Sequence, residues 1–469
     1  MQFDAVVVGG GFAGLTAANH IAMEGYRPIV LEAGIDEKYM CNSRVSTGAL
    51  HVGFRNPEDP ADQLFENIMS ETDGTARKDI AQTLAENSQA TINWMREEGC
   101  EFMQHPRRAS GMPMMVPGRE MKAGLDWENS GPNKFLLTLA DKLEERGGQL
   151  RRGARVSGLV HNDGQVCGVY TEAGEKIEAI AVVIADGGFQ ADPDLVGRHI
   201  TLSPEKLRQR NTQTGRGDGL KMAVAIGAET IGLDKFYGHV LSRDAMMNEK
   251  LWPYPQLDVV CAKSIVVTPD GRRFADEGQG GVYFTNAIAA LDDPLSATAV
   301  FDHTVWEDAK VADIVPPNPS LEQNGGTVFE AASLAELAGL AGLDPVGLLD
   351  TVTEYNDSIR TGGVCGLSPT RNTEKFPAHL IENAPYYAIP LCAGITVTSG
   401  GLAVDGSAQV LSKSGEVISG LYAAGSVVGG LEGGPRVGYV GGLIKAFGIG
   451  RIAGRAIAAK LANKCIKMP

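Results

Sequence analysis

Continuous apolar stretches without polar alternation occur at Ala5 to Val8, Arg27 to Leu31, Ala179 to Ala185 and Leu421 to Ala424. Such stretches predict strands buried on both faces, as in a parallel sheet packed between helices. Helical periodicity covers Ala76 to Glu98, Pro132 to Gly147, Leu334 to Ile359 and Gly442 to Ala462. Two alternating runs, Arg155 to His161 and Val166 to Thr171, flank Asn162-Asp163-Gly164 and predict a hairpin. Tyr39 to Asn56 is irregular and rich in Ser, Thr and Gly, a loop of the kind that carries function. The Met/Pro/Gly-rich stretch Met112 to Met121 reads equally as a flexible pocket wall or as an exposed loop. Around residue 230 the pattern changes to short strands, Pro-rich turns such as Pro316-Pro317-Asn318-Pro319, and one helical stretch. This predicts an inserted second domain, after which the first resumes with strands at Ile395 to Thr398, Leu402 to Val404 and Gln409 to Leu411.

The chain has 469 residues, 43% hydrophobic and 21% charged, with 59 glycines. That is an ordinary globular composition with room for two or three domains. A net charge of −15 argues against nucleic acid or an anionic membrane as partner, so any positive site for an anion must be local. The seven cysteines (41, 100, 167, 261, 365, 392 and 465) show no paired spacing. They give no haem, iron–sulfur or zinc pattern, and free thiols point to a cytoplasmic location with no metal site. No basic, apolar leader precedes the first strand, and no apolar run reaches the ~18 residues a membrane helix needs.

The most specific motif opens the chain: Val6-Val7-Val8-Gly9-Gly10-Gly11-Phe12-Ala13-Gly14, then Glu32 eighteen residues after Gly14. Gly9 allows a sharp turn off the strand, Gly11 allows backbone to approach a pyrophosphate, and Gly14 allows close helix–sheet packing. The helix N-terminus then faces the phosphates, and Glu32 accepts hydrogen bonds from an adenosine ribose. This order of strand, turn, helix, strand and acid predicts dinucleotide binding.

Motifs along nearly the whole chain resemble the fumarate reductase/succinate dehydrogenase flavoprotein family, including its tricarballylate and 3-ketosteroid dehydrogenase branches. They are the opening glycine turn, Asn42-Ser43 before Ser46-Thr47-Gly48-Ala49, Ala185-Asp186-Gly187-Gly188-Phe189, and Gly217-Asp218-Gly219 before Lys221-Met222-Ala223. Gly271-Arg272-Arg273-Phe274-Ala275-Asp276-Glu277, Leu421 to Gly425, and Gly448 to Gly454 continue the match. The resemblance implies an α/β fold: a discontinuous Rossmann-like FAD-binding domain (1–228 and 378–469) with an inserted α+β capping domain (229–377). It implies non-covalent FAD held by Gly9, Gly11, Phe12, Ala13, Gly14, Glu32, Ala33, Asn42, Ser43, Thr47, Gly48 and Ala49. Val156, Ala185, Asp186, Gly187, Asp218, Gly425, Ser426, Gly441, Gly442 and Leu443 complete that set. Ser426 stands where relatives carry a Glu that contacts the flavin.

Two dicarboxylate devices of the reductases are missing. Gln279-Gly280-Gly281-Val282-Tyr283-Phe284 lacks the proton-donating arginine, and Thr396-Val397-Thr398-Ser399-Gly400-Gly401 lacks the family histidine. By resemblance Arg436 anchors a substrate carboxylate and His239 is retained at the catalytic histidine's place. Tyr439 polarises a substrate carbonyl, and Tyr283 takes the lost arginine's role in proton transfer. Arg272 and Arg273 are read as a surface turn. The expected activity is FAD-dependent dehydrogenation of a CH–CH bond next to a carbonyl or carboxylate, with a small-molecule substrate and a separate electron acceptor. The alternatives are an enoate or 2-enone reductase running the other way, and a non-catalytic flavoprotein electron carrier.

Overall fold

The computed structural model describes residues 3–104, 111–120, 122–162, 164–312 and 315–466. The opening strand Ala5–Val8 lies between Pro28–Leu31 and Ala181–Ile184, in parallel with both. Parallel neighbours Gln149–Arg151 and Val417–Ala423 extend the sheet on either side. All four side chains of Ala5–Val8 and of Ala181–Ile184 are buried, as unbroken apolar strands require. The hairpin Val156–Asn162 and Gln165–Thr171 pairs antiparallel at the far edge of this nine-stranded sheet. Its turn residue Asp163 and the end of the Met-rich stretch, Met121, lie outside the described residues.

Small residues let the helices close on this sheet. A Cβ on Gly14 would sit 2.0 Å from the Gly9 carbonyl oxygen, so the opening helix Phe12–Met23 reaches its seat only with glycine there. The closing helix Gly442–Ile466 crosses the opening one at Gly450 and Gly454, where added Cβ atoms would lie 2.6 Å from the Ala13 oxygen and 2.5 Å from the Ala17 oxygen.

A second, six-stranded sheet is organised around one 13-residue strand, Tyr386–Thr398. This strand pairs with Arg208–Gln209, Phe236–Ser242, Thr298–Asp302 and Phe329–Ala331. Ile395 to Thr398 is therefore the end of a strand of the second sheet and not a return to the first. Strand pairing carries that sheet beyond residues 229–377 on both sides. The helical stretch Leu334 to Ile359 is two helices, Leu334–Ala341 and Pro345–Thr361. Gly342, at φ 69°, ends the first, and Asp344 caps the second by accepting the Gly347 N–H. Arg273 is interior, with its guanidinium on the fully buried Glu277 carboxylate at 2.5 Å, whereas Arg272 pairs at the surface with Asp350. The surface-turn reading holds for Arg272 alone, because the strand pairing at Val267 turns the next side chain inward. Among the described residues no helix is long and apolar enough to cross a membrane.

These contacts predict opposite outcomes at two helical glycines. Gly450→Val forces the opening and closing helices apart and is expected to cost about 1–3 kcal/mol. Gly339→Ala, in open space on an exposed helix, is expected to gain up to about 1 kcal/mol. Urea midpoints followed by circular dichroism check both; an unchanged midpoint for Gly450→Val contradicts the packing described.

Candidate active site

Two cavities meet where the sheets face each other. The first, about 480 Å³, runs along the carboxyl ends of the parallel strands and is lined by Gly9 to Ala13, Glu32, Ala33, Asp186, Gly187 and Gly425 among others. The second, about 260 Å³, is walled by the second sheet and the closing helix. Asn42, Ser43, Ser426 and Ala446 line both.

The first cavity has the chemistry of a dinucleotide crevice. Glu32 Oε2 accepts the Gly10 N–H at 2.8 Å and Oε1 accepts the Gly34 N–H at 2.7 Å. These bonds fix the carboxylate at the strand end and leave lone pairs for ribose hydroxyls. Ser43 Oγ accepts the Phe12 N–H at 2.9 Å, which ties the loop to the helix start. Asp186 Oδ2 accepts the Gly219 N–H at 2.7 Å while Oδ1 is buried without a partner. Burial raises the Asp186 carboxyl to about 7. Gly187, at φ 90°, has nothing within 4 Å of a Cβ position, so backbone is bare to the crevice. An orphaned carboxyl oxygen beside bare glycine backbone fits a hydroxyl-rich, phosphate-bearing ligand such as FAD. Of the expected cofactor residues, Gly14, Gly48 and Gly441 line neither cavity; Gly14 and Gly441 make room for backbone and Gly48 for the Met115 and Pro132 side chains, while the rest line one or both.

The second cavity holds a linked set of aromatic and imidazole groups. His239, on Phe236–Ser242, has Nδ1 2.5 Å from Asp258 Oδ2 and Nε2 3.0 Å from the Tyr237 hydroxyl. A carboxylate can only accept, so Nδ1 carries a proton, and in the neutral imidazole Nε2 is then the acceptor for the Tyr237 O–H. Asp258 is held in turn by accepting the Val240 N–H at 2.8 Å. The Tyr237 ring stacks on Tyr439 with centroids 3.7 Å apart. Tyr439 accepts the N–H of Gly442, first residue of the closing helix, at 2.7 Å. Burial pushes its hydroxyl well above the usual 10, with Tyr237 and Glu432 adding to the effect. It is therefore a neutral hydroxyl at working pH. Behind it, Glu432 accepts the Val440 and Gly441 N–H groups at 3.1 Å and pairs with Lys445 in full burial.

Two expected site residues are not brought to the cavity. Arg436 is exposed at the tip of a turn and pairs with Asp73 at 3.2 Å. Gly433 and Gly438 bond to each other across that turn, and Val437 N–H bonds Gly434, so the intervening side chain is thrown outward. Tyr283 lies on the helix Gly281–Ala289 and lines neither cavity. That helix is bonded to the His239 strand through Thr285, whose hydroxyl donates to the His239 oxygen at 3.2 Å, and through Asn286, which bonds the Phe236 backbone N–H and oxygen. His239 and Tyr439 do reach the cavity.

Sequence reasoning missed Tyr237, Asp258, Arg119 and Arg210. Tyr237 was open to detection, being two residues from His239 on one strand. Asp258 had no such signal, because it comes from a separate helix, Asp258–Lys263. Arg119 lies in the Met-rich stretch, which forms a cavity wall through Met112 and Arg119. Its Nη1 donates to the Val45 oxygen at 2.7 Å. Arg210 is pinned by the Pro253 oxygen and by Thr396 Oγ1, with its guanidinium over the Tyr254 ring.

Known proteins share this architecture. The chain is 26% identical to 4-oxocyclohexanecarboxylate 2-dehydrogenase of Sinomonas cyclohexanicum, over 98% of this chain and 94% of that protein. It is 28% identical to NADH:acrylate oxidoreductase of Vibrio harveyi over 81% of its own length, and spans only 36% of that longer protein. The 3-ketosteroid-Δ4-(5α)-dehydrogenase of Rhodococcus jostii RHA1 superimposes with a TM-score of 0.72 at 22% identity, covering 97% of this chain and 96% of that one, a likeness of fold. A family model described as FAD binding domain matches residues 4–438. With crevice and sequence in agreement over nearly its whole length, the chain belongs to the FAD binding domain family.

Proposed function

We propose that this protein is an FAD-dependent oxidoreductase that desaturates a CH–CH bond next to the carbonyl of a small oxo acid or ketone. The observation that carries the reading is the chain Asp258–His239–Tyr237, which opens onto a cavity that shares Asn42, Ser43, Ser426 and Ala446 with the dinucleotide crevice. The names of relatives add support: one denotes dehydrogenation of a cyclic oxo acid, and another denotes redox chemistry at acrylate, an unsaturated acid. Gly9 to Ala13, Glu32, Asn42, Ser43, Asp186, Gly425 and Ser426 would hold FAD, and the bound cofactor supplies a hydride acceptor beside the second cavity.

The protein's own groups handle the proton. Tyr237 passes its hydroxyl proton to His239 Nε2 as its oxygen takes a proton from the substrate carbon next to the carbonyl. Asp258 stabilises the imidazolium so formed. Tyr439 donates its O–H to the substrate carbonyl oxygen, where negative charge grows as that proton leaves. Glu432 and Lys445 fix the loop that aims it. The same groups run in reverse for saturation of an enoate, a second reading favoured by the acrylate-reducing relative. We place the protein in the cytoplasm, where its described thiols stay reduced, with electrons passing to a separate acceptor.

Tyr237→Phe is expected to slow anaerobic flavin bleaching by a cyclic oxo acid about 10²–10⁴-fold while flavin content stays unchanged. Asp258→Asn is expected to lower kcat with flavin content unchanged, because the imidazolium formed in the reaction loses its counter-charge. Tyr439→Phe is expected to cost about 10²–10³-fold in kcat. Full-rate bleaching by Tyr237→Phe overturns the relay. Direction is read by mixing photoreduced protein with an unsaturated acid: slow reoxidation supports the dehydrogenase, and fast reoxidation supports the reductase.

A further inference from the structure

Arg119 is buried, with 7% of its surface exposed, and lines the second cavity. Its Nη1 is bonded, but Nε and Nη2 have no partner among the described residues. Those two nitrogens form one edge of the guanidinium and present two parallel N–H groups, spaced for the two oxygens of a carboxylate. Nε and Nη2 are themselves covered, and an unpaired charged donor in burial is costly, so a guanidinium that lines a cavity in this state calls for an anionic partner. Arg210 supplies a second guanidinium to the same cavity, and among the described residues no Asp or Glu lines it. Asp126, whose charge reaches Arg119, is already paired with Lys122 at 3.0 Å. A chain of net charge −15 thus presents two cations and no lining acid at this one place.

We propose that Arg119 binds a carboxylate of the substrate through its guanidinium, with Arg210 adding to the positive field, so that the substrate is an oxo acid and not a neutral ketone. This rests on the reading of the second cavity as the place of CH–CH chemistry. Arg119 takes the anchoring role that the sequence had suggested for Arg436. Because the carbonyl is met by Tyr439 in the same cavity, the substrate carries both groups on one small skeleton.

The test compares cyclohexanecarboxylate with cyclohexanecarboxamide by calorimetric titration of the flavin-loaded protein. The carboxylate is expected to bind on the order of 10²-fold tighter than the amide. In Arg119→Gln the two are expected to bind alike, and in Arg119→Lys part of the preference returns, with flavin content unchanged in both. Equal binding of acid and amide, binding of neither, or a preserved preference in Arg119→Gln overturns the proposal. A preserved preference together with an altered flavin potential assigns Arg119 to the cofactor instead. Turnover separates this from the preceding reading. If 4-methylcyclohexanone is oxidised as efficiently as 4-oxocyclohexanecarboxylate, the chemistry stands and the anion site falls. If the acid binds through Arg119 but no ketone or acid bleaches the flavin, the anion site stands and the chemistry falls.

Discussion

The end of one strand joins the two halves of the molecule. Tyr386–Thr398 is the organising strand of the second sheet, and its last residues reach the crevice of the first. Thr398 Oγ1 accepts the Phe189 N–H at 3.2 Å, and the Thr396 oxygen accepts from Asn42 at 3.4 Å. The same strand pairs His239 with Gly394 and Tyr237 with Val397. Backbone pairing therefore fixes the His239–Tyr237 face relative to the loop at Asn42 and Ser43, and two cavities share one neck. A slip of this strand by one residue would turn its side chains to the opposite face.

The acidic chain concentrates its positive charge where the ligand needs it. Lys445 is neutralised by Glu432 and Arg273 by Glu277, both in burial, so these cations serve the fold. Arg119 and Arg210 have no such carboxylate partner. Their guanidiniums are held by carbonyl and hydroxyl oxygens, which position the charge without cancelling it.

Legibility in the sequence followed the range of the interactions. The opening strand, glycine turn, helix and Glu32 were readable because every part acts on a neighbour within one βαβ unit. The buried strand Ala181–Ile184 and the buried end of Val417–Ala423, from Leu421 on, were readable from unbroken apolar composition. Asp258 and Arg119 were not, because each meets its partners only after separate segments converge. Arg436 and Tyr283 stand at plausible places along the chain, yet a local turn throws one outward and the other lines neither cavity. Ile395 to Thr398 looked like a short strand because Pro390 and Gly394 interrupt a run whose pairing is decided by four partner strands.

The account stands on the two cavities being one site, with nucleotide in the first and a reactive ring at the neck. A crystal structure of the FAD-loaded protein with cyclohexanecarboxylate tests this directly. It should show the ring between the Asn42–Ser43 loop and Ser426–Ala446, with one face toward Tyr237 and Tyr439. A ring lodged elsewhere, or side chains closing the neck between the cavities, would contradict it.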